Sequence, residues 1–111
     1  MPWLVRDGQV LASVEVASSA KERFVGLLGR DGFEGALLLR PAWSVHTLGM
    51  RFPIDVAFLD GDLCVVRTRT MRPWRMGRPV LSARAVIEAE AGTFASWALA
   101  VGDTLEIRDG A

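Results

Sequence analysis

Two short apolar runs, Trp3-Leu4-Val5 and Val10-Leu11, flank Asp7-Gly8 at the start of the chain. An Asp-Gly pair accepts the positive backbone angles of a tight hairpin, so the pattern predicts an opening β-ribbon. Val14 and Val16 then alternate with Ser13 and Glu15, the period of a strand. At Ser19 the period changes. Ser19 followed by Glu22 is a capping box, Ala20, Phe24, Leu27 and Leu28 recur at helical spacing, and Gly29 offers a stop, which predicts one short amphipathic helix. The run Ala36-Leu37-Leu38-Leu39 is uniformly apolar and ends near Pro41, as expected of a strand buried on both faces.

Two more extended stretches, Trp43 to Met50 and Ile54 to Leu59, are separated by Arg51-Phe52-Pro53. Asp60-Gly61-Asp62 turns the chain into a further strand from Leu63 to Met71, completing a meander. Val80 through Ala89 reads as a strand, and Thr93 through Leu99 as a short helix opened by a threonine cap. Thr104 through Ile107 reads as a closing strand after Gly102-Asp103. The expected fold is mainly β: a single-domain β-sandwich or partly open barrel with two short helices, over residues 1–111.

Composition agrees with a chain that folds alone, half hydrophobic and 23% charged over 111 residues. Thirteen basic residues balance thirteen acidic ones, so no global field draws the protein to nucleic acid or an anionic membrane. The first seven residues lack the features of a signal peptide and no window is long enough to span a bilayer, which leads us to expect a cytoplasmic location. The one cysteine, Cys64, lies in an apolar run and reads as a buried, inert thiol.

Charge becomes informative locally. Between Asp62 and Glu88 there is no acidic residue, but Arg67, Arg69, Arg72, Arg75, Arg78 and Arg84 all fall there. Arg72-Pro73-Trp74-Arg75-Met76-Gly77-Arg78-Pro79 is a loop by its prolines and glycine, and it sets guanidinium groups around an indole. Such groups suit recognition of phosphate or carboxylate. The plainer expectation is that acidic residues from elsewhere in the fold pair with them.

His46, the only histidine, reads first as a packed, hydrogen-bonded ring on one strand face with Leu48 and Met50, second as a ligand contact and third as a metal ligand. Asp55 stands in the otherwise apolar Pro53-Ile54-Asp55-Val56-Ala57-Phe58-Leu59. A carboxylate there needs partners. The expected ones are amides of the preceding turn, or Arg51 or Arg84; the alternative is an acid, base or ligand-orienting group. If Arg51-Phe52-Pro53 makes a hairpin, Asp55 falls opposite Gly49 and out of reach of His46. Zinc-binding cysteine pairs, a phosphate-binding glycine loop, a dinucleotide fingerprint and a nucleophile elbow are all missing, so no cofactor or metal is expected.

Four segments together resemble the bacterial and archaeal family called domain of unknown function 192. They are Glu22-Arg23-Phe24-Val25-Gly26-Leu27-Leu28-Gly29-Arg30, His46-Thr47-Leu48-Gly49-Met50, Pro53-Ile54-Asp55-Val56-Ala57-Phe58-Leu59-Asp60, and Ala85-Val86-Ile87-Glu88 ahead of Gly92. The resemblance implies a mostly β sandwich- or barrel-like domain and no established activity. The second segment is similar to a histidine-bearing variant of the family, whose commoner form has a tryptophan-methionine-lysine-asparagine-threonine-like stretch there.

The candidate contact residues are His46, Thr47, Met50, Arg51, Asp55, Arg72, Trp74, Arg75, Arg78, Arg84 and Glu88. The leading expectation is a non-catalytic binding or accessory module whose arginine loop takes an anionic small molecule or a protein partner. The alternatives are a hydrolase or isomerase with Asp55 as acid or base and His46 or Arg84 orienting an anionic or sugar-like substrate, and an assembly role through Trp43, Trp74 or Trp97.

Overall fold

The structure, a computed structural model, describes residues 2–109. Its strands are β1 (Pro2–Arg6), β2 (Gln9–Ala17), β3 (Ala36–Leu39), β4 (Ile54–Leu59), β5 (Val65–Met71), β6 (Ala85–Glu90) and β7 (Glu106–Asp109), with helices α1 (Ala20–Val25) and α2 (Thr93–Trp97). They form one seven-stranded sheet in the order β5-β4-β6-β3-β2-β1-β7. The mainly β expectation with two short helices is met.

The opening ribbon forms as its turn chemistry dictates: β1 and β2 pair antiparallel across Asp7 and Gly8, both at positive φ. β2 then runs parallel to β3, a pairing that requires a crossover, and α1 lies in that crossover. β3 pairs with β6, and β6 with β4 in an unbroken antiparallel register from Ile54↔Glu90 to Leu59↔Ala85. The two edges of the sheet approach at one end, where the Val65 amide donates to the Asp103 carbonyl at 2.8 Å and the Leu105 amide to that of Leu63 at 3.0 Å.

Apolar residues cover both faces, and the strand period sorts them. Ile54, Val56 and Phe58 of β4 pack on one face with Leu37, Leu39, Val45, Met50 and Val86. Ala57, Leu59, Ala85, Ile87 and Ala89 pack on the other, with Phe94 of α2. Buried carboxylates interrupt the alternation once in each central strand: Asp55 faces the α2 side, and Glu88, level with Leu37 and Val56, faces the side of α1 and the 40–50 segment.

The first helix ends at Val25 with Gly26 as its cap rather than stopping at Gly29, the closing strand is Glu106–Asp109 rather than Thr104 to Ile107, and three further expectations are corrected. Trp43 to Met50 is not a strand but an irregular segment with a single bridge, His46↔Met76, because its backbone bonds are spent on the 72–80 loop. The strand expected from Val80 begins only at Ala85, since the Ala83 amide turns back to the Val80 carbonyl at 2.9 Å. β5 starts at Val65 rather than Leu63, whose φ of 62° breaks the extended run.

Candidate functional site

Two places gather the candidate residues. The first is the arginine loop. The Thr47 side chain, fully buried, holds it: Oγ1 donates to the Arg72 carbonyl at 2.6 Å and accepts from the Arg75 amide at 2.9 Å. The Thr47 main chain adds two bonds, its amide to the Arg75 carbonyl and its carbonyl from the Trp74 amide, both at 2.8 Å. Farther along, the Gly77 amide donates to the Val45 carbonyl at 3.0 Å and the Val80 amide to that of Trp43 at 2.8 Å. Gly77 has to be glycine at this approach, because a Cβ there would stand 2.7 Å from the Val45 oxygen. Removing the Thr47 hydroxyl with Thr47→Val strands the Arg75 amide and is expected to cost about 2 kcal/mol. Urea denaturation checks the cost, and faster exchange of the Arg75 amide shows where it falls.

So fixed, the loop lays Arg69, Arg72, Arg75 and Arg78 along one open groove with Thr70, Met71, Met76 and Gly77. The Arg69 guanidinium donates to the Arg78 carbonyl at 2.7 Å, tying β5 to the far side of the loop. The acidic partners expected for these arginines are not there. Among the described residues the ion pairs are Arg6–Asp103, Arg30–Glu15, Arg51–Asp31 and Arg108–Glu106, and none involves an arginine between Arg67 and Arg84. At the loop tip Trp74 is 66% exposed and Met76 73% exposed, and Trp74 holds a left-handed φ of 64°. Arg84, exposed, and Arg51, paired at 2.7 Å with Asp31, lie outside the groove lining.

The second place is a cavity under α1, about 30 Å³ measured as the room open to the centres of water molecules. Arg23, Phe24 and Gly26 line it from the α1 side, Val45, His46 and Met50 from the 40–50 segment, and Glu88 from β6. His46 uses both ring nitrogens: Nδ1 accepts from the Leu48 amide at 3.2 Å, which leaves the proton on Nε2 to donate to the Phe24 carbonyl at 3.3 Å. The packed, hydrogen-bonded reading of His46 is the arrangement seen, but the ring is half-buried while Val45 and Thr47 point inward. Gly26, at φ 49°, lies so close to Glu88 that a Cβ would stand 3.0 Å from its Oε1. Burial pushes the Glu88 carboxyl up from the ordinary glutamate value to about 7.

Asp55 belongs to neither place. Its Oδ1 accepts from the Thr70 hydroxyl at 2.9 Å, and its Oδ2 from the amides of Gly92 and Phe94 at 3.0 Å each. These amides open α2, so a carboxylate reaching over from β4 supplies the cap expected from Thr93, and the N-cap residue is Gly92. Expected partners Arg51, Arg84 and the preceding turn are replaced by amides of the β6–α2 turn, and Asp55 stands opposite Thr70 and Ala89 rather than Gly49. His46 and Asp55 share no hydrogen bond.

Of the three tryptophans considered for assembly, Trp43 and Trp74 are exposed, while Trp97 is half-buried and stacks on Phe94 with ring centroids 5.5 Å apart. Cys64 is half-buried rather than buried. Among the described residues, no group of three or more His, Cys, Asp or Glu could hold a metal, and no helix is long and apolar enough to cross a membrane. Of the groove lining, Arg69, Thr70, Met71, Met76 and Gly77 are not among the candidates. Gly77 gave no signal beyond its place in a turn, and Arg69 enters the groove from a strand.

Comparison with known proteins places this geometry in a family. The profile described as Uncharacterized ACR, domain of unknown function 192, matches residues 3–107. A UPF0127 protein of Pyrococcus furiosus is 34% identical over 108 residues, 93% of each chain, and one of Pyrococcus abyssi is 33% identical over 98 residues, 84% of each. Among solved structures, a protein of unknown function from Novosphingobium aromaticivorans superposes with a TM-score of 0.80 at 21% identity, covering 95% of this chain and 82% of its own. A candidate transcription regulator from Sinorhizobium meliloti gives 0.81 at 21% identity, covering 95% of this chain and 90% of its own, and the two likenesses carry the fold alone. The chain therefore belongs to the family of domain of unknown function 192, whose curated relatives are the UPF0127 proteins.

Proposed function

We propose that the protein is a non-catalytic binding module that takes an anionic ligand in the groove of Arg69, Arg72, Arg75 and Arg78. The supporting observation is that these four arginines line one groove and none pairs with a carboxylate among the described residues, although the Arg69 guanidinium is held by the Arg78 carbonyl and over the Phe58 ring. Placing like charges together without counter-ions is unfavourable for folding. A loop pinned through Thr47 keeps that arrangement, and a multiply charged anion relieves it. Planar guanidinium forks suit the oxygens of phosphate or carboxylate.

The groove is open, which suits an extended anion contacted along one side. A second form of the same reading, an acidic segment of a partner protein, is favoured by exposed Trp74 and Met76 beside the arginines, since Trp, Met and Arg are enriched at protein interfaces. The enzymatic alternative built on Asp55 is less favoured: Asp55 lines an open cleft with Thr68, Arg69 and Thr70, but its Oδ1 is held by the Thr70 hydroxyl of β5 and its Oδ2 by the two amides of the turn before α2.

The triple variant Arg72→Ala, Arg75→Ala, Arg78→Ala tests the reading, with tripolyphosphate as the probe. In the wild-type protein tripolyphosphate raises the melting temperature dose-dependently, and by less at high salt. In the triple variant that rise falls at least tenfold in apparent affinity, while the ligand-free melt stays within a few degrees. Equal shifts in both proteins would refute the proposal.

A further inference from the structure

Glu88 is the buried ionisable group that the fold leaves without a partner. It sits in the central strand β6, 4% exposed, and no hydrogen bond or ion pair reaches its carboxylate among the described residues. Asp55, on the opposite face, is equally buried but accepts three bonds. The contrast separates a carboxylate used by the fold from one that is not. Among the described residues no wholly buried side-chain oxygen lacks a partner, so the Glu88 oxygens meet the cavity and its solvent in place of protein donors, an unfavourable setting for a charge that an apolar residue would avoid.

Its surroundings are shaped around it. Gly26 withholds the Cβ that would close on Oε1, so the cavity reaches the carboxylate. α1, which passes over the cavity, buries none of its own residues and is only six residues long. Such a cover opens at low cost. The rings of Phe24 and His46 meet at 5.1 Å between centroids and wall one side. Beyond them a cleft of about 230 Å³, measured as for the cavity, continues outward past Trp43 and Ser44.

We propose that the cavity beneath α1 is a second binding site, in which Glu88 receives the ammonium head of a primary amine while the rest of the ligand leaves past Phe24 and Trp43. An anion is repelled by the carboxylate. A neutral hydroxyl leaves the charge uncompensated. The room is small but takes more than a single water, which suits a compact ammonium head, and a primary ammonium carries N–H donors for the carboxylate that a quaternary one lacks. Aromatic faces at the wall add attraction for a cation.

Other ionisable groups do not fill this role. Arg23, which lines the cavity, donates to the Ser18 carbonyl and makes no ion pair with Glu88. His46 spends both nitrogens on Leu48 and Phe24, Arg30 pairs with Glu15, and Lys21 and Glu22 line a neighbouring groove between α1 and β2 and make no bond to Glu88. β3 and β4 present apolar Leu37, Leu39 and Val56 to the same face.

Methylammonium chloride is the probe, followed by amide chemical shifts, with tetramethylammonium chloride at equal ionic strength as the control. Saturable shifts are expected at Phe24, Gly26 and Leu27, with an affinity about tenfold higher at pH 8 than at pH 6, since the carboxylate must be ionised and burial places its pKa at about 7. Glu88→Gln, isosteric and uncharged, abolishes them. Absence of saturation at pH 8, equal shifts with tetramethylammonium, or binding retained in Glu88→Gln would each overturn the assignment. None of these outcomes depends on the arginine groove.

Discussion

Replacing Asp55 with alanine is expected to lower stability by about 3 kcal/mol, because one truncation removes three hydrogen bonds, from the Thr70 hydroxyl and the amides of Gly92 and Phe94, and strands the buried Phe94 amide. In a domain of this size that is a fall in melting temperature on the order of 15 °C. Asp55→Asn keeps one acceptor oxygen for the two amides and offers its NH₂ to Thr70, so its loss should be about 1 kcal/mol. Thermal denaturation of the two variants decides the matter. If Asp55→Ala melts with the wild-type protein, the carboxylate is not what holds α2 against the sheet, and the acid or base reading regains its motive.

The second large effect is a dependence on pH. In the unfolded chain Glu88 titrates near the ordinary value of 4.5, and in the folded protein burial raises it to about 7. A folded-state acid with a raised pKa binds its proton more tightly than the unfolded chain does. Below 4.5 both states are protonated and nothing is lost. Between 4.5 and 7 the unfolded chain releases the proton first, so the folded state loses stability as pH rises, reaching a plateau above 7. The full difference is about 3 kcal/mol. Glu88→Gln removes this dependence, so its stability relative to the wild-type protein should climb across that window and level off. Urea midpoints at pH 4.5, 6 and 8 measure it. A difference that stays flat with pH would show that the Glu88 carboxyl is solvated or paired in the folded protein.

How far these features could be read from the chain depends on whether they are local. Ser19 and Glu22 are three residues apart, and the capping box they predict is present, with both reciprocal bonds formed. Asp7-Gly8 turns the first hairpin for the same reason. The α2 cap was misread because its acceptor comes from β4, thirty-seven residues before Gly92, and no local pattern reports such a partner. Trp43 to Met50 has the alternation of a strand, but its inward residues Val45 and Thr47 alternate because the segment straps the 72–80 loop, with no ladder partner beyond the one bridge.

The sites divide in the same way. The acid-free stretch from Arg67 to Arg84 is visible in the sequence, and with it the candidates Arg72, Arg75 and Arg78. That no carboxylate from elsewhere pairs with them is a property of the folded chain. Glu88 stands out as one charge in an apolar run, as Asp55 does, and the sequence treats the two alike. Only their faces differ: one meets the amides of a turn, the other a cavity kept open by Gly26. Three of the segments that carry the family resemblance, around Phe24, His46 and Glu88, meet at that cavity although they are far apart in the chain.

The most direct test of the anion-binding account is a titration of the wild-type protein with tripolyphosphate, followed by backbone and guanidinium resonances. The account predicts saturable shifts concentrated between Arg69 and Arg78, with the Arg75 amide and the Trp74 indole among the largest, and an affinity that falls as salt is raised. Saturable shifts confined to another surface, or none at low salt, would contradict it.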